Sequence, residues 1–174
     1  MDFHNLKICF MGGKQAGIAG FLTVLSRGCK VVSAVSYSDD LTDVLALFKV
    51  PIHKSINDRA FIQNLHESDL LLSVHGKEIS KPDLLKLPRL GAINVHPYLY
   101  KYKGANSVQR ALEDKEFKAS VGVHVMEEKI DRGRVITEKF VDVSGARSVE
   151  EVYNRLYSCY TAAIVEALEL ICNE

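Results

Sequence analysis

Short apolar runs alternate along the chain with longer segments in which apolar residues recur every three or four positions. The runs at residues 6–11, 31–35, 70–74 and 92–95 are nearly continuous, which predicts strands buried on both faces. The segments at 15–27, 38–48 and 57–65 have helical spacing, and shorter ones at 51–52 and 84–87 predict a minor strand and a minor helix. This order predicts an α/β fold, with a Rossmann-like, open, mostly parallel sheet and helices on both faces.

The pattern changes in the second half of the chain. Residues 120–126 and 135–141 predict two strands joined by a turn at 129–133, which is typical of an antiparallel hairpin. Residues 149–171 predict one long C-terminal helix, with Val152, Leu156, Ile164 and Leu168 on its inner side. No repeat or linker interrupts this order, so we expect residues 1–174 to form a single domain.

Composition and charge narrow the class of protein. The 22 Lys and Arg residues balance 22 Asp and Glu residues, which argues against a broad nucleic-acid-binding surface but leaves room for a small basic pocket. No apolar run approaches the ~20 residues that cross a bilayer, and no signal peptide is predicted, so we expect a cytoplasmic protein that binds no membrane. No metal-ligand spacing appears, and free thiols are expected at Cys9, Cys29, Cys159 and Cys172.

Two polar side chains stand at the end of the strand predicted for residues 92–95. Residues two apart in a strand point to the same face, so Asn94 and His96 project together, and Pro97 ends the strand. Ligands bind outside the carboxyl ends of strands in open α/β sheets. An amide donor beside a group that can transfer a proton suits the attack of an amine on a carbonyl. The alternative is that Asn94 caps local backbone and that His96 is an ordinary strand-end histidine.

An acidic turn at residues 127–133 would by itself be a solvated loop. Together with the segments GAINVHP at 91–97, YKGAN at 102–106, SVGVHVM at 120–126 and IDRGRVI at 130–136, it resembles the folate-dependent formyltransferase family over nearly the whole chain. The resemblance implies the formyltransferase fold, the formyl donor 10-formyltetrahydrofolate, and a catalytic trio of Asn94, His96 and Asp131. In that reaction Asn94 and protonated His96 would donate hydrogen bonds to the formyl oxygen, and Asp131 would orient the imidazole. Asp131, or a water that it holds, would move the proton.

The resemblance also implies where the two substrates bind. The folate pocket would be lined by residues 71–79 and 127–131, with candidates Leu72, Val74, His75, Gly76, Lys77, Glu128, Ile130 and Asp131. The loop after His96 would face the acceptor amine, although it lacks the family's second proline; a solvated loop with snorkelling side chains is the alternative. This loop and the end of the first strand supply the acceptor candidates Gly12, Gly13, Lys14, Tyr98, Tyr100, Lys101, Tyr102, Lys103 and Gly104. His124 is interpreted as structural or pocket-lining.

Several acceptors fit an N-formyltransferase of this kind. A small, nucleotide-linked amino sugar is the first choice, and glycinamide ribonucleotide is second because the phosphate loop expected for it is absent at residues 12–15. A methionyl-tRNA acceptor is disfavoured by the neutral charge and by the end of the chain at Glu174 without a further domain. A non-catalytic folate- or nucleotide-binding module is the alternative class, and the long C-terminal helix leaves a homo-oligomer open.

Overall fold

The computed structural model describes residues 3, 5–78 and 81–173. In this part of the chain the strands form one seven-stranded sheet, with bounds β1 Lys7–Gly12, β2 Lys30–Ser36, β3 Ile52–His53, β4 Leu70–Val74, β5 Ala92–Pro97, β6 Lys118–Val125 and β7 Val135–Asp142. The helices are α1 Lys14–Ser26, α2 Asp39–Leu47, α3 Arg59–His66, α4 Pro82–Leu85, α5 Ser107–Glu113 and α6 Val149–Asn173.

The order of the strands creates a crevice in the middle of the sheet. Across the sheet the order is β3-β2-β1-β4-β5-β6-β7. Strands β1 to β5 are parallel, whereas β6 runs antiparallel to both β5 and β7. Because the strand order reverses between β1 and β4, the chain leaves these two strands in opposite directions and opens a crevice at their carboxyl ends.

Each face of the sheet carries its own hydrophobic cluster. We call the side covered by α1, α2, α5 and α6 the α6 face, and the side covered by α3 and α4 the α3 face. Alternation along β1 sends Ile8 and Phe10 to the α6 face and Cys9 and Met11 to the α3 face. Burial on both faces explains why this strand reads as a continuous apolar run.

Most elements predicted from the sequence are confirmed, including the parallel sheet, the β6–β7 hairpin and the long C-terminal helix. Helix α3 begins two residues later than predicted because the Asp58 carboxylate accepts a hydrogen bond from the Ala60 backbone N–H at 2.9 Å and caps it. The minor strand and minor helix lie at 52–53 and 82–85, each shifted by one or two residues from the predicted ranges.

Helix α5 was missing from the sequence-based prediction. It begins after Asn106, which adopts the left-handed conformation with φ 56°, and it packs Val108 and Ala111 into the α6-face cluster. A helix of seven residues is too short for its apolar spacing to stand out from that of a loop. The helix matters here because its first turn reaches the crevice.

Two expectations from composition can be compared with the structure. The four cysteines are free thiols, as predicted. Within the described ranges, no helix combines the length and the apolar character needed to cross a membrane.

Candidate active site

The carboxyl ends of β1, β4 and β5 surround a cavity of about 750 Å³. Strand β1 leads into Lys14, β4 into His75, and β5 carries Asn94 and His96 into the cavity wall. The wall is completed by His124 of β6, by the loop after β6, by the first turn of α5 and by the first turns of α6. The cavity therefore lies where the strand order reverses, as the α/β topology predicts.

Asp131 lies at the centre of a hydrogen-bond network in this cavity, with only 7% of its surface exposed. Its Oδ2 accepts from the backbone N–H of Gly104 at 2.7 Å and from Nε2 of His96 at 3.1 Å. Its Oδ1 lies 3.2 Å from Nε2 of His124 and accepts from Nδ2 of Asn94 at 3.4 Å. The structure thus brings the predicted trio together and adds a second histidine to it.

The surroundings of Asp131 keep its carboxyl group ionised. Burial by itself raises its pKa, but hydrogen bonds from His124 and His96, the charge of His96 and the N–H of Gly104 outweigh that effect. The result is a pKa well below the usual range of an aspartate. An ionised carboxylate with this many donors is a fixed negative charge that orients its neighbours.

The His96 imidazole is held at one edge and unpartnered at the other. Its Nε2 lies 3.0 Å from the carbonyl oxygen of Gly104 and 3.1 Å from Asp131 Oδ2, and both of these atoms accept, so Nε2 carries a proton. Its Nδ1 is buried and has no hydrogen-bond partner among the described residues. A buried polar atom without a partner is costly, so a ligand group that reaches Nδ1 would remove that cost.

His124, which was interpreted from the sequence as structural or pocket-lining, lines the cavity but was not among the predicted catalytic residues. The antiparallel register of β5 and β6 places it directly opposite Asn94, with its Nε2 3.3 Å from Asn94 Nδ2. Its Nδ1 lies 2.8 Å from the carbonyl oxygen of Val125, which fixes the ring plane. The alternation along β6 indicated that residue 124 faces away from Val123, but only the strand register shows that it meets Asp131.

The folate-pocket candidates divide into those that line the cavity and those that lie beneath it. His75, Gly76, Lys77 and Ile130 line it, as does Asp131. Two candidates need correction: Leu72 and Val74 have no exposed surface, because alternation along β4 directs them into the α6-face cluster.

Apart from Asp131, the acidic residues of the two predicted folate segments that line the cavity are not the ones named as candidates. Glu128 does not line the cavity, whereas the preceding residue, Glu127, does. Glu78, which was not among the candidates, both lines the cavity and anchors its loop, since its carboxylate accepts from the Tyr37 hydroxyl at 3.1 Å and the Ser55 hydroxyl at 2.6 Å. Ile79, the last residue of the predicted pocket segment, lies outside the described residues.

His75 contacts helix α6 rather than the loop that carries Asp131. Its Nε2 lies 3.1 Å from the Tyr160 hydroxyl and 3.2 Å from the Tyr153 hydroxyl. Burial, together with the charges of Lys14 and His96, lowers the pKa of His75 to about 4. Tyr153 itself lines the cavity and is a second residue that sequence reasoning missed.

The glycine-rich end of β1 contributes less to the cavity than predicted. Gly13 and Lys14 line it, but Gly12 is buried in the strand, where a Cβ would lie 2.9 Å from the Val74 carbonyl oxygen. The first N–H groups of α1 are already used: Gly13 donates to the Val74 carbonyl at 3.2 Å and Lys14 donates to Ser38 Oγ at 2.8 Å. These two backbone N–H groups are therefore used within the protein and are not free to bind a phosphate.

The tyrosines after His96 are structural, which corrects the prediction that they face the acceptor. Tyr98 is fully buried and donates its hydroxyl proton to the Glu116 carbonyl at 3.0 Å. Tyr102 is 6% exposed and donates to the Asp114 carboxylate at 2.8 Å. Both rings pack in the core beneath the loop and not on the cavity wall.

The rest of that loop also points away, except at its end. Tyr100 packs against Phe140 with ring centroids 5.5 Å apart, and Lys101 forms a surface ion pair with Glu116 at 2.7 Å. Neither they nor Lys103, whose side chain is exposed, line the cavity. Gly104 does line the cavity. So does Gln109 of α5, whereas the prediction had expected loop residues on this part of the wall.

Comparison with known proteins agrees with this geometry. Residues 28–168 match the family described as formyl transferase. Methionyl-tRNA formyltransferase of Thermotoga maritima is 30% identical, covering 94% of this chain and 58% of that protein. The bifunctional polymyxin resistance protein ArnA of Wigglesworthia glossinidia brevipalpis is 26% identical, covering 92% of this chain and 26% of that protein. The chain therefore spans 58% or less of the length of these two relatives.

Solved structures share the fold. Phosphoribosylglycinamide formyltransferase from Anaplasma phagocytophilum superimposes with a TM-score of 0.81 at 17% identity, covering 97% of this chain and 88% of that one. A formyltetrahydrofolate deformylase from Pseudomonas syringae pv. tomato gives 0.77 at 19% identity, covering 94% and 60%. The family match over residues 28–168 confirms the predicted family, and the solved structures confirm its fold. This chain belongs to the formyl transferase family.

Proposed function

We propose that this protein transfers a formyl group from 10-formyltetrahydrofolate to a primary amine of a small substrate. The observation that carries the proposal is the meeting of Asn94, His96 and Asp131 on one cavity wall, in a chain of the formyl transferase family. The donor supplies an electrophilic formyl carbon attached to nitrogen. The amine supplies the nucleophile, and the protein must bind both and stabilise the charge that develops on the formyl oxygen.

The cavity has two unlike halves that suit these two substrates. Toward the α3 face it is lined by the apolar side chains of Leu85 and Met126, which fit the flat, largely apolar edge of a pterin ring. Toward the α6 face it is lined by polar side chains, including Lys14 and Gln109, which fit a hydrated acceptor. We therefore place the folate in the α3-face half and the amine acceptor in the α6-face half.

The trio has the donors and acceptors that formyl transfer needs. The Asn94 amide and a protonated His96 would donate hydrogen bonds to the formyl oxygen as charge builds up on it, and the unpartnered His96 Nδ1 is available for this. The ionised Asp131, whose Oδ2 lies 3.1 Å from His96 Nε2, fixes the orientation of the His96 ring. Because the pKa of Asp131 lies well below its usual range, this carboxylate is a poor proton acceptor, which favours a water molecule as the carrier of the amine's proton.

The acceptor we propose is an amino sugar linked to a nucleotide. Lys14 provides one exposed cation beside the cavity, enough for a phosphate group. The balanced charge of the chain disfavours an acceptor with many phosphates. Methionyl-tRNA is the second candidate, because several relatives bear that enzyme's name. We propose a cytoplasmic location, where folate donors are made, and leave the oligomeric state to measurement.

The experiment that tests the proposal has two parts. A thermal shift with 5-formyltetrahydrofolate, a stable analogue of the donor, measures occupancy of the folate half: at ~100 times its Kd the stabilisation is about 2.7 kcal/mol, or a few degrees in Tm. Formyl transfer from 10-formyltetrahydrofolate is then measured with a thymidine-diphosphate 4-amino-4,6-dideoxyhexose, with glycinamide ribonucleotide and with methionyl-tRNA. Turnover with the sugar nucleotide, abolished in His96→Ala, is the expected result.

Other results would separate the alternatives. Turnover with methionyl-tRNA but not with the sugar nucleotide would show that the proposed acceptor is wrong and that the proposed formyl transfer is right. A folate-induced shift without turnover on any amine, unchanged in His96→Ala, would favour a binding module. No shift at millimolar ligand would remove the donor from the proposal. Lys103→Ala, on the same loop but outside the cavity, is the control and should behave like the unmodified protein.

A further inference from the structure

His75 leaves strand β4 in an unusual conformation that redirects its side chain. Leu71 faces the α3 face, and regular alternation would send residue 75 to the same side. Instead His75 adopts φ 59°, in the left-handed region, which is uncommon for residues other than glycine and in which Asn, Asp and His are the most frequent exceptions. Its ring lies against α6, with centroids 5.5 Å from Tyr153 and 6.2 Å from Tyr160. The chain thus turns this imidazole away from the apolar half of the cavity.

The hydroxyl of Tyr160 determines which ring nitrogen of His75 carries the proton. Tyr160 has no exposed surface, and within the described ranges its hydroxyl has no hydrogen-bond partner other than Nε2 of His75, at 3.1 Å. A buried hydroxyl that fails to donate costs about 1–3 kcal/mol, so the proton points at Nε2. Nε2 is therefore the acceptor, and in the neutral ring the proton resides on Nδ1. The Tyr153 hydroxyl lies 3.2 Å from the same Nε2, but a neutral ring nitrogen offers a single lone pair, and Tyr153 lines the cavity, where its hydroxyl can donate instead.

Nδ1 of His75 remains as a donor without a protein partner. Among the described residues nothing accepts from it, and the ring is partly exposed on the cavity wall. Burial and the charges of Lys14 and His96 keep the ring neutral at neutral pH, with a pKa of about 4. His75 thus presents a single, oriented, uncharged N–H to whatever occupies the α6-face half of the cavity.

We propose that His75 is a specificity-determining residue for the amine acceptor, whose hydroxyl or carbonyl oxygen accepts a hydrogen bond from Nδ1–H, and that Tyr160 is its positioning residue. This rests on the proposed function, in which the acceptor takes the polar half of the cavity. It also reassigns His75, which the sequence placed among the folate-binding candidates. Lys14, on the same side, supplies charge, whereas a neutral donor selects for an uncharged oxygen at a defined position.

Three substitutions at His75 separate its two nitrogens. In His75→Asn the amide nitrogen takes the place of Nδ1, and asparagine tolerates the left-handed backbone. In His75→Gln the amide reaches the place of Nε2 instead, and in His75→Phe both the Nδ1–H donor and the Nε2 acceptor are lost. Tyr160→Phe removes the hydroxyl that orients the ring, and Tyr157→Phe is the matched control, because within the described ranges the Tyr157 hydroxyl makes no hydrogen bond.

The measurements are KM and kcat for the thymidine-diphosphate 4-amino-4,6-dideoxyhexose, its Kd by calorimetry, and the Kd of 5-formyltetrahydrofolate. For His75→Phe and His75→Gln we expect the acceptor KM and Kd to rise roughly three- to tenfold, the scale of one hydrogen bond, with kcat and folate Kd within about twofold. His75→Asn should restore most of the acceptor affinity. Tyr160→Phe should raise the acceptor KM, and Tyr157→Phe should change nothing.

Each contrary result has one meaning. Loss of folate affinity with unchanged acceptor affinity in His75→Phe would return His75 to the folate pocket and overturn the inference. Equal acceptor affinity in all three His75 variants would do the same. If the unmodified protein binds the sugar nucleotide but does not formylate it, the proposed function fails while the binding data still decide the role of His75. If it does not bind the sugar nucleotide at all, the acceptor class and this inference fail together. Should His75→Phe not fold, Tyr160→Phe and His75→Asn provide the comparison.

Discussion

Asp131 combines two properties that a buried carboxylate rarely has together: it is nearly inaccessible and it is firmly ionised. Four donors from three separate segments, at Asn94 and His96 of β5, at Gly104 and at His124 of β6, produce this state. The carboxylate therefore serves two roles at once, since it joins the segments that form the cavity wall and it holds the His96 ring in one orientation. Loss of this carboxylate should therefore lower turnover and weaken the pH dependence of stability, while folate binding should change little.

We expect Asp131→Ala to lower turnover by at least ~100-fold, the scale of losing a group that supports proton transfer and charge stabilisation. Folate binding should change little, because the apolar half of the cavity lies beside Asp131 and does not depend on its charge. The measurement is kcat with the best acceptor, alongside the Kd of 5-formyltetrahydrofolate. Near-normal turnover would remove Asp131 from the mechanism.

Acid stability provides a second test at the same residue. Because the folded pKa of Asp131 lies below its unfolded value of about 3.9, its contribution is fully present above that value and is lost as the pH falls toward the folded pKa. We expect the free energy of unfolding of Asp131→Asn to fall less steeply from about pH 5 to pH 3 than that of the unmodified protein. Urea unfolding at both pH values measures it, and parallel slopes would contradict the assignment.

At the level of elements, the site depends on how closely helix α1 approaches strand β4. Gly20 permits that approach, because a Cβ there would lie 2.8 Å from Val74 Cγ2 and 3.4 Å from Ile164 Cδ1 of α6. The close contact packs α1 against both strand β4 of the sheet and the neighbouring helix α6. It also determines where Lys14, His75 and Tyr153 meet at the cavity, since each lies at or near the end of one of these elements.

We expect Gly20→Ala to destabilise the protein by about 1–3 kcal/mol, even though alanine favours a helix over glycine by about 1 kcal/mol. Gly17→Ala is the control in the same helix, because its Cβ would meet the flexible end of Leu41 at 3.2 Å. Free energies of unfolding from urea titrations compare the two variants. Equal effects would show that helix propensity, and not the contact with Val74, dominates at both positions.

At the scale of the whole molecule, one seven-stranded sheet separates two hydrophobic clusters. Strands β1, β4 and β5 contribute side chains to both clusters, so neither can form without the central strands. The longest helix, α6, packs on β6, β7 and α1, and thereby connects the antiparallel half of the sheet with the parallel half. This arrangement favours the single domain expected from the sequence.

We expect thermal unfolding in one cooperative transition, with equal calorimetric and van't Hoff enthalpies, because the two clusters share the same strands. Differential scanning calorimetry measures both quantities on the full chain. Two resolved transitions, or a calorimetric enthalpy well above the van't Hoff value, would indicate that the two halves of the sheet unfold separately and that the single-domain prediction is wrong.

The sheet, most helices and the common orientation of Asn94 and His96 follow from the sequence, because strand alternation and helical spacing are local patterns that reflect burial. The resemblance of short segments to the formyltransferase family added Asp131 to the predicted site. The contact between His124 and Asp131 could be found only in the folded structure, since it depends on the register between β5 and β6. The folded structure also decided that Tyr98 and Tyr102 are buried and that His75 turns to α6, because in each case the partner lies on an element whose position no local pattern encodes.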